Sequence, residues 1–133
     1  MKTKGKLFDK EVLKLAKFER ALHRDGTVAP DLIEVILQNY KTGQVLFGAS
    51  MSRETLEETL KTGFVVLYSR SRKGRWLKGE TSGDTLKVVK VFLNCDNDQL
   101  LLQVIPQGEG VCHEKDERGI AKPTCFSKVL LET

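Results

Sequence analysis

"LKVVKVFLNCDNDQLLLQVI", Leu86 to Ile105, reads as two apolar strands turning on Asn94-Cys95-Asp96-Asn97-Asp98. Branched aliphatic runs of this length, broken by Asn and Asp, predict paired strands joined by a tight turn. Asn and Asp suit such a turn because their side chains bond nearby backbone and tolerate left-handed conformations. The cysteine does not follow from that logic. A thiol and two carboxylates within five residues raise the question of a bound cation.

Working outward, "DLIEVILQNYKTGQVLFGAS" from Asp31 predicts two further strands joined at Lys41-Thr42-Gly43. A short helix follows: Ser52 caps it, Glu54 lies in its first turn, Leu56 and Leu60 share a face, and Gly63 stops it. "FVVLYS" predicts a buried strand, "RSRKGR" a basic turn and "WLK" its return. Near the N-terminus, Val12, Leu15, Ala16, Glu19 and Leu22 approach helical spacing, so an amphipathic helix is expected from about Asp9 to Leu22, with His23 a surface or capping residue at its end. After Ile105, "PQGEGVCHEKDERGIAKPTCFSK" has no period and reads as a long loop, which in a small domain is functional, clamped or disordered.

The expected fold is α+β, mainly antiparallel β with an N-terminal helix and a second short helix. At 133 residues the chain fits one domain, 1–133, with an N-terminal helical segment over 1–27 and a loop region over 106–126. Hydrophobic residues make up 40% and charged residues 30%, and no apolar run approaches the ~20 residues that cross a bilayer. The N-terminus has no continuous apolar stretch of the signal-peptide kind, so a cytoplasmic location is expected. Twenty-two Lys and Arg against eighteen Asp and Glu give +4, concentrated in "SRSRKGRWLKGETSGDTLKVVK". An anionic ligand suits that segment.

Cys95, Cys112 and Cys125 are separated by 16 and 12 residues, and none belongs to a CxxC pair. An odd number of thiols without an export signal argues against a disulfide framework. Three thiolates with an open fourth position are what a catalytic zinc requires. Unrelated buried thiols account for the pattern equally well. Asp96 and Asp98 can offer oxygens to one hard cation, though a solvated turn is the stronger reading of the pair alone. His113 beside Cys112 is a zinc ligand, a proton donor or an exposed histidine. "GETSG", Gly79 to Gly83, offers two glycines and two hydroxyls near cationic side chains, a combination that suits phosphate. Trp76, the sole tryptophan, reads more readily as core than as a stacking platform.

Together "GQVLFGASMSRETLEETLKTGFVVLYSRSRKGRWLKGETSGDTLKVV", then "NCDND", "CH" and "CF" resemble the phosphoribosyl-AMP cyclohydrolases of histidine biosynthesis. The resemblance covers about three-quarters of the chain, from Pro30 to Phe126, and "YSRSRKGRWLKGETSG" is its most specific part. It implies an enzyme that hydrolyses the N1–C6 bond of the adenine ring of 1-(5-phosphoribosyl)-AMP. It also implies zinc at Cys95, Cys112 and Cys125, magnesium at Asn94, Asp96 and Asp98, and an intertwined homodimer whose zinc ligands come from both subunits. Two departures stand out: the family usually has Asp where this chain has Asn94, and "HEKDERGIAKPT" is longer than its usual loop.

On that resemblance, a zinc-activated hydroxide is expected to attack C6. His113 is expected to protonate N1. Arg70, Arg72, Arg75, Lys78, Glu80, Thr81, Ser82 and Gly83 are the expected substrate-binding residues, some but not all of the four cations contacting the two phosphates. A small metal-stabilised nucleic-acid-binding protein is the competing reading. Aromatics at 7%, not interleaved with the basic turn, argue against it. An inert β-rich interaction domain with buried thiols is the third.

Overall fold

A computed structural model describes residues 6–133. The elements are α1 (Lys6–Leu15), β1 (Leu32–Asn39), β2 (Val45–Ser52), α2 (Arg53–Thr62), β3 (Val66–Ser69), β4 (Gly74–Leu77), β5 (Leu86–Leu93) and β6 (Gln99–Pro106). The fold is mixed α+β, with a six-stranded sheet in the order β4-β3-β2-β1-β6-β5. Neighbouring strands are antiparallel except β1 and β6, which run parallel with Val35 opposite Leu100 and Leu37 opposite Leu102.

Alternation dictates which face is core. Ile33, Val35 and Leu37 of β1 and Leu100, Leu102 and Val104 of β6 point inward and are buried, while Glu34 is exposed. Period-2 strands force this outcome once one face is covered. Met51, Leu56, Leu67 and Leu86 close the same cluster. The sheet curls. The N–H of Val65 donates to Leu86 O (3.0 Å) and that of Val88 to Gly63 O (2.8 Å), so β5 at one end reaches the residues just before β3.

The β1–β2 hairpin turns where Lys41-Thr42-Gly43 predicted, with Asn39 Oδ1 accepting the N–H groups of Lys41 and Thr42. α2 also matches its sequence signals. Ser52 and Thr55 form a reciprocal capping box, and Gly63 ends the helix at φ 83°.

The first helix differs from expectation. It ends at Leu15, not near Leu22, and only Val12 and Ala16 of the predicted stripe are buried. Beyond Ala16 the backbone finds better partners elsewhere: Lys17 N–H donates to Asn97 O (2.8 Å), and Glu19 and Leu32 exchange both of their backbone bonds (2.9 Å each). Leu22 is left 42% exposed on this extended segment, and His23 sits in a turn. No described helix is long and apolar enough to cross a membrane.

Candidate active site

A cleft of about 670 Å³ opens where the start of β2, the turn after β4 and the 107–126 loop meet. The loop is drawn into place by its backbone. Cys125 N–H donates to Leu46 O (2.8 Å), Thr124 Oγ1–H to Val45 O (2.7 Å), and the N–H groups of Val111 and Cys112 both donate to Lys122 O (2.9 and 3.0 Å). Those bonds bring Cys112 and Cys125 to one side of the cleft, although 12 residues separate them.

The two thiols face each other. Partial burial, then the hydrogen bond to Cys112, pushes the Cys125 thiol up to about 11, although much of the residue remains exposed. A thiol raised in this way keeps its proton near neutral pH, and a cation bound there would have to displace it. Lys78 lies opposite, 7% exposed, and is the one buried charged side chain among the described residues. Burial pulls its pKa below the ordinary lysine value, against the pull of Asp84, Cys125 and Cys112. An ammonium in that position favours an anion beside it.

The turn after β4 follows as "KGETSGD". Gly79 (φ 84°) allows the chain to double back, because a Cβ there would overlap the backbone of Asp84 and Thr85. Glu80, Thr81 and Ser82 are thereby delivered to the cleft. Arg72 reaches it from the β3–β4 turn, its guanidinium 5.8 Å from the ring centre of Trp76. Trp76 itself packs against the core, as expected, and also forms one wall of the cleft.

Of the residues singled out from sequence, Arg72, Lys78, Glu80, Thr81, Ser82, Cys112, His113 and Cys125 line this cleft. Gly83 shapes the turn at φ 84°. Arg75 points the other way, as alternation from Trp76 requires, and forks onto Glu58 of α2 at 2.7 and 2.6 Å. Arg70 is also outside, donating from Nε to Leu22 O (2.7 Å). Trp76, Asp84, Lys115 and Phe126 line the cleft without having been assigned to the site. Trp76 and Asp84 flank assigned motif residues, whereas nothing in the aperiodic loop distinguished Lys115.

The acidic turn Asn94–Asp98 lies elsewhere. Asn94 closes it: its Oδ1 accepts the N–H groups of Asp98 (2.9 Å) and Gln99 (3.1 Å), and its Nδ2 donates to Asp98 Oδ1 (2.7 Å). Cys95 and Asp96 are exposed. Asp98 and Arg70 instead line a second hollow of about 890 Å³. Among the described residues, no three His, Cys, Asp or Glu side chains gather closely enough to hold a metal. Cys112 and Cys125 fit zinc as a pair of soft ligands, and a third is required to complete a site.

The sequence profile of phosphoribosyl-AMP cyclohydrolase matches residues 47–127, more than half of the chain and all of the cleft's motifs. The phosphoribosyl-AMP cyclohydrolase of Solibacter usitatus is 41% identical over 109 residues, 82% of each chain. Histidine biosynthesis bifunctional protein HisIE of Thermus thermophilus is 46% identical over 101 residues, and that of Shewanella oneidensis 49% over 86. The matches cover 76% and 65% of this chain but only 44% and 40% of those two relatives, so the chain spans less than half the length of the bifunctional proteins. By both the profile and the relatives, the chain belongs to the phosphoribosyl-AMP cyclohydrolase family.

Proposed function

We propose that the protein hydrolyses the N1–C6 bond of the adenine ring of 1-(5-phosphoribosyl)-AMP, the ring-opening reaction of histidine biosynthesis, as an intertwined homodimer. One observation carries the reading: Cys112 and Cys125 meet Lys78, Arg72 and the Glu80–Ser82 turn in one cleft. Zinc would be held by Cys112, Cys125 and Cys95 of the partner subunit, and when bound it supplies a nucleophile at neutral pH by making water more acidic. The need for a partner fits the monomer, in which Cys95 is exposed on a separate turn.

The chain's own groups divide the remaining work. Arg72 and Lys78 neutralise phosphate, and the hydroxyls of Thr81 and Ser82 orient it. Trp76 offers the purine an apolar wall. His113, at the cleft, donates a proton to N1 as the C6–N1 bond breaks. Asp96 and Asp98 offer hard oxygens to magnesium. Asn94 fixes that turn, its own oxygen being committed to two backbone N–H groups.

The test is ultraviolet absorbance of phosphoribosyl-AMP incubated with zinc-loaded wild type and with Cys95→Ala. Zinc-dependent ring opening that collapses in the variant is expected. A folded, zinc-containing dimer supplied with magnesium that leaves the adenine ring closed would overturn the proposal. Salt-sensitive binding of DNA or RNA would then become the reading to pursue.

A further inference from the structure

Between α1 and β1 the extended segment touches two turns that carry site motifs. Lys17 N–H donates to Asn97 O in the acidic turn; further on, Arg24 N–H donates to Arg70 O (3.2 Å) and Arg70 Nε to Leu22 O (2.7 Å). Residues 22–27 double back on themselves, His23 N–H donating to Thr27 O (2.7 Å) and Gly26 N–H to His23 O (3.0 Å).

The side chains of this loop make an unbroken run of hydrogen bonds. Thr27 Oγ1–H donates to Asp25 Oδ1 (2.7 Å), which also accepts the Thr27 N–H (3.0 Å). With its O–H directed at Asp25, Thr27 Oγ1 accepts from His23 Nδ1 (3.0 Å). In the tautomer with the proton on Nδ1, Nε2 accepts from the Tyr68 hydroxyl at 2.8 Å. The His23 and Tyr68 rings stack at 5.9 Å, 23° apart.

The second oxygen of Asp25 takes Lys73 Nζ at 2.5 Å. Lys73, then Thr27, hold the Asp25 carboxyl down to about 2. Lys73 has φ 60°, a left-handed conformation that L residues avoid unless their surroundings impose it. The loop thus grips the β3–β4 hairpin at two points, at Tyr68 before the turn and at Lys73, the last residue of the turn. Between them lies Arg72, its N–H bonded to Ser69 Oγ (3.1 Å) and its guanidinium over Trp76.

We infer that residues 22–27 are a positioning strap for the cationic turn, with His23 and Asp25 the positioning residues that act through Tyr68 and Lys73 to set where Arg72 stands over the cleft. This role rests on the cleft being the phosphorylated substrate's site, as proposed above. Holding the turn in place before substrate arrives removes an ordering cost from binding, so the strap governs KM more than kcat.

The experiment combines ring-opening kinetics with acrylamide quenching of Trp76, the sole tryptophan, in His23→Leu, Asp25→Asn and His23→Gln. His23→Leu and Asp25→Asn are expected to raise KM about fivefold each, the worth of one hydrogen bond, with kcat held and Trp76 more readily quenched. His23→Gln keeps an acceptor for the Tyr68 hydroxyl and is expected to restore both readouts. Unchanged KM and quenching in the first two variants, or His23→Gln behaving like His23→Leu, would overturn the strap. Should His23→Leu fail to fold, Tyr68→Phe removes only the hydroxyl and takes its place. If wild type shows no ring opening, the proposed function fails by itself and the quenching series still decides the strap.

Discussion

Gly79 and Gly83 share a φ of 84° but stand in different surroundings. A Cβ at Gly83 meets open space, so Gly83→Ala carries only left-handed strain, about 1–2 kcal/mol. At Gly79 the Cβ overlaps the Asp84 and Thr85 backbone, so Gly79→Ala costs about 1–3 kcal/mol more. Urea denaturation of the two variants checks the order; equal losses would mean the turn is not held as described. The cysteines also differ by surroundings. If zinc is held as proposed, Cys112→Ser and Cys125→Ser should each lose it, measured by atomic absorption, and about 10³-fold or more in ring opening, since a Lewis acid supplies several kcal/mol. Full zinc content in either variant would make that thiol structural. Sequence marked all three cysteines, but no spacing could say which two meet, because the meeting depends on backbone bonds to Leu46 and Lys122. The family resemblance placed Asn94 with the magnesium ligands, and in the fold its amide also closes the turn.

At the scale of elements, α2 is tied to β4 through the Glu58–Arg75 fork. The bond to Arg75 holds the Glu58 carboxyl below its ordinary 4.5. A carboxyl depressed in the folded state adds stability that is fully present above its unfolded value and lost as pH falls through the folded one. The melting-temperature gap between wild type and Arg75→Ala is therefore expected at neutral pH and should close as the pH falls below 4.5 and the Glu58 carboxyl is protonated. A gap that persists in acid would mean that Arg75 acts by packing. Because Arg75 faces away from the cleft, its loss should leave kcat/KM within about twofold, as for a surface pair, whereas Arg72→Ala should weaken substrate binding. What was legible here was local: the capping box at Ser52, the stop at Gly63 and the Lys41-Thr42-Gly43 hairpin each depend on residues a few positions apart. The end of α1 was not, because Asn97 and Leu32, distant in sequence, claim the backbone of Lys17 and Glu19. The parallel pairing of β1 with β6 was hidden for the same reason, since it joins residues 65 apart.

Across the whole molecule, the curled sheet leaves the family's motifs on two separate surfaces. Cys112, Cys125, Arg72 and Lys78 line one cleft, Arg70 and Asp98 line the other hollow, and Cys95 is exposed beside Asp98's turn. A single chain that brings two thiols together and holds the third apart makes sense if two chains meet, the acidic turn of each reaching the cleft of its partner. Two-fold symmetry then gives a dimer two composite sites, and this arrangement has a signature that no single-chain site can imitate. Cys95→Ser and Cys112→Ser homodimers should both be inactive. When the two variants are unfolded together and refolded, half of the dimers carry both chains. Each mixed dimer has one site with every thiol intact and one with two missing, so about one quarter of wild-type activity should return. Activity near that level with zinc supplied would assign Cys95 to the opposite subunit from Cys112. A mixture that stays inactive, although sedimentation shows dimers and tagged chains show exchange, would require all three thiols to act within one chain, and the loop that carries Cys112 and Cys125 would then have to move to meet Cys95.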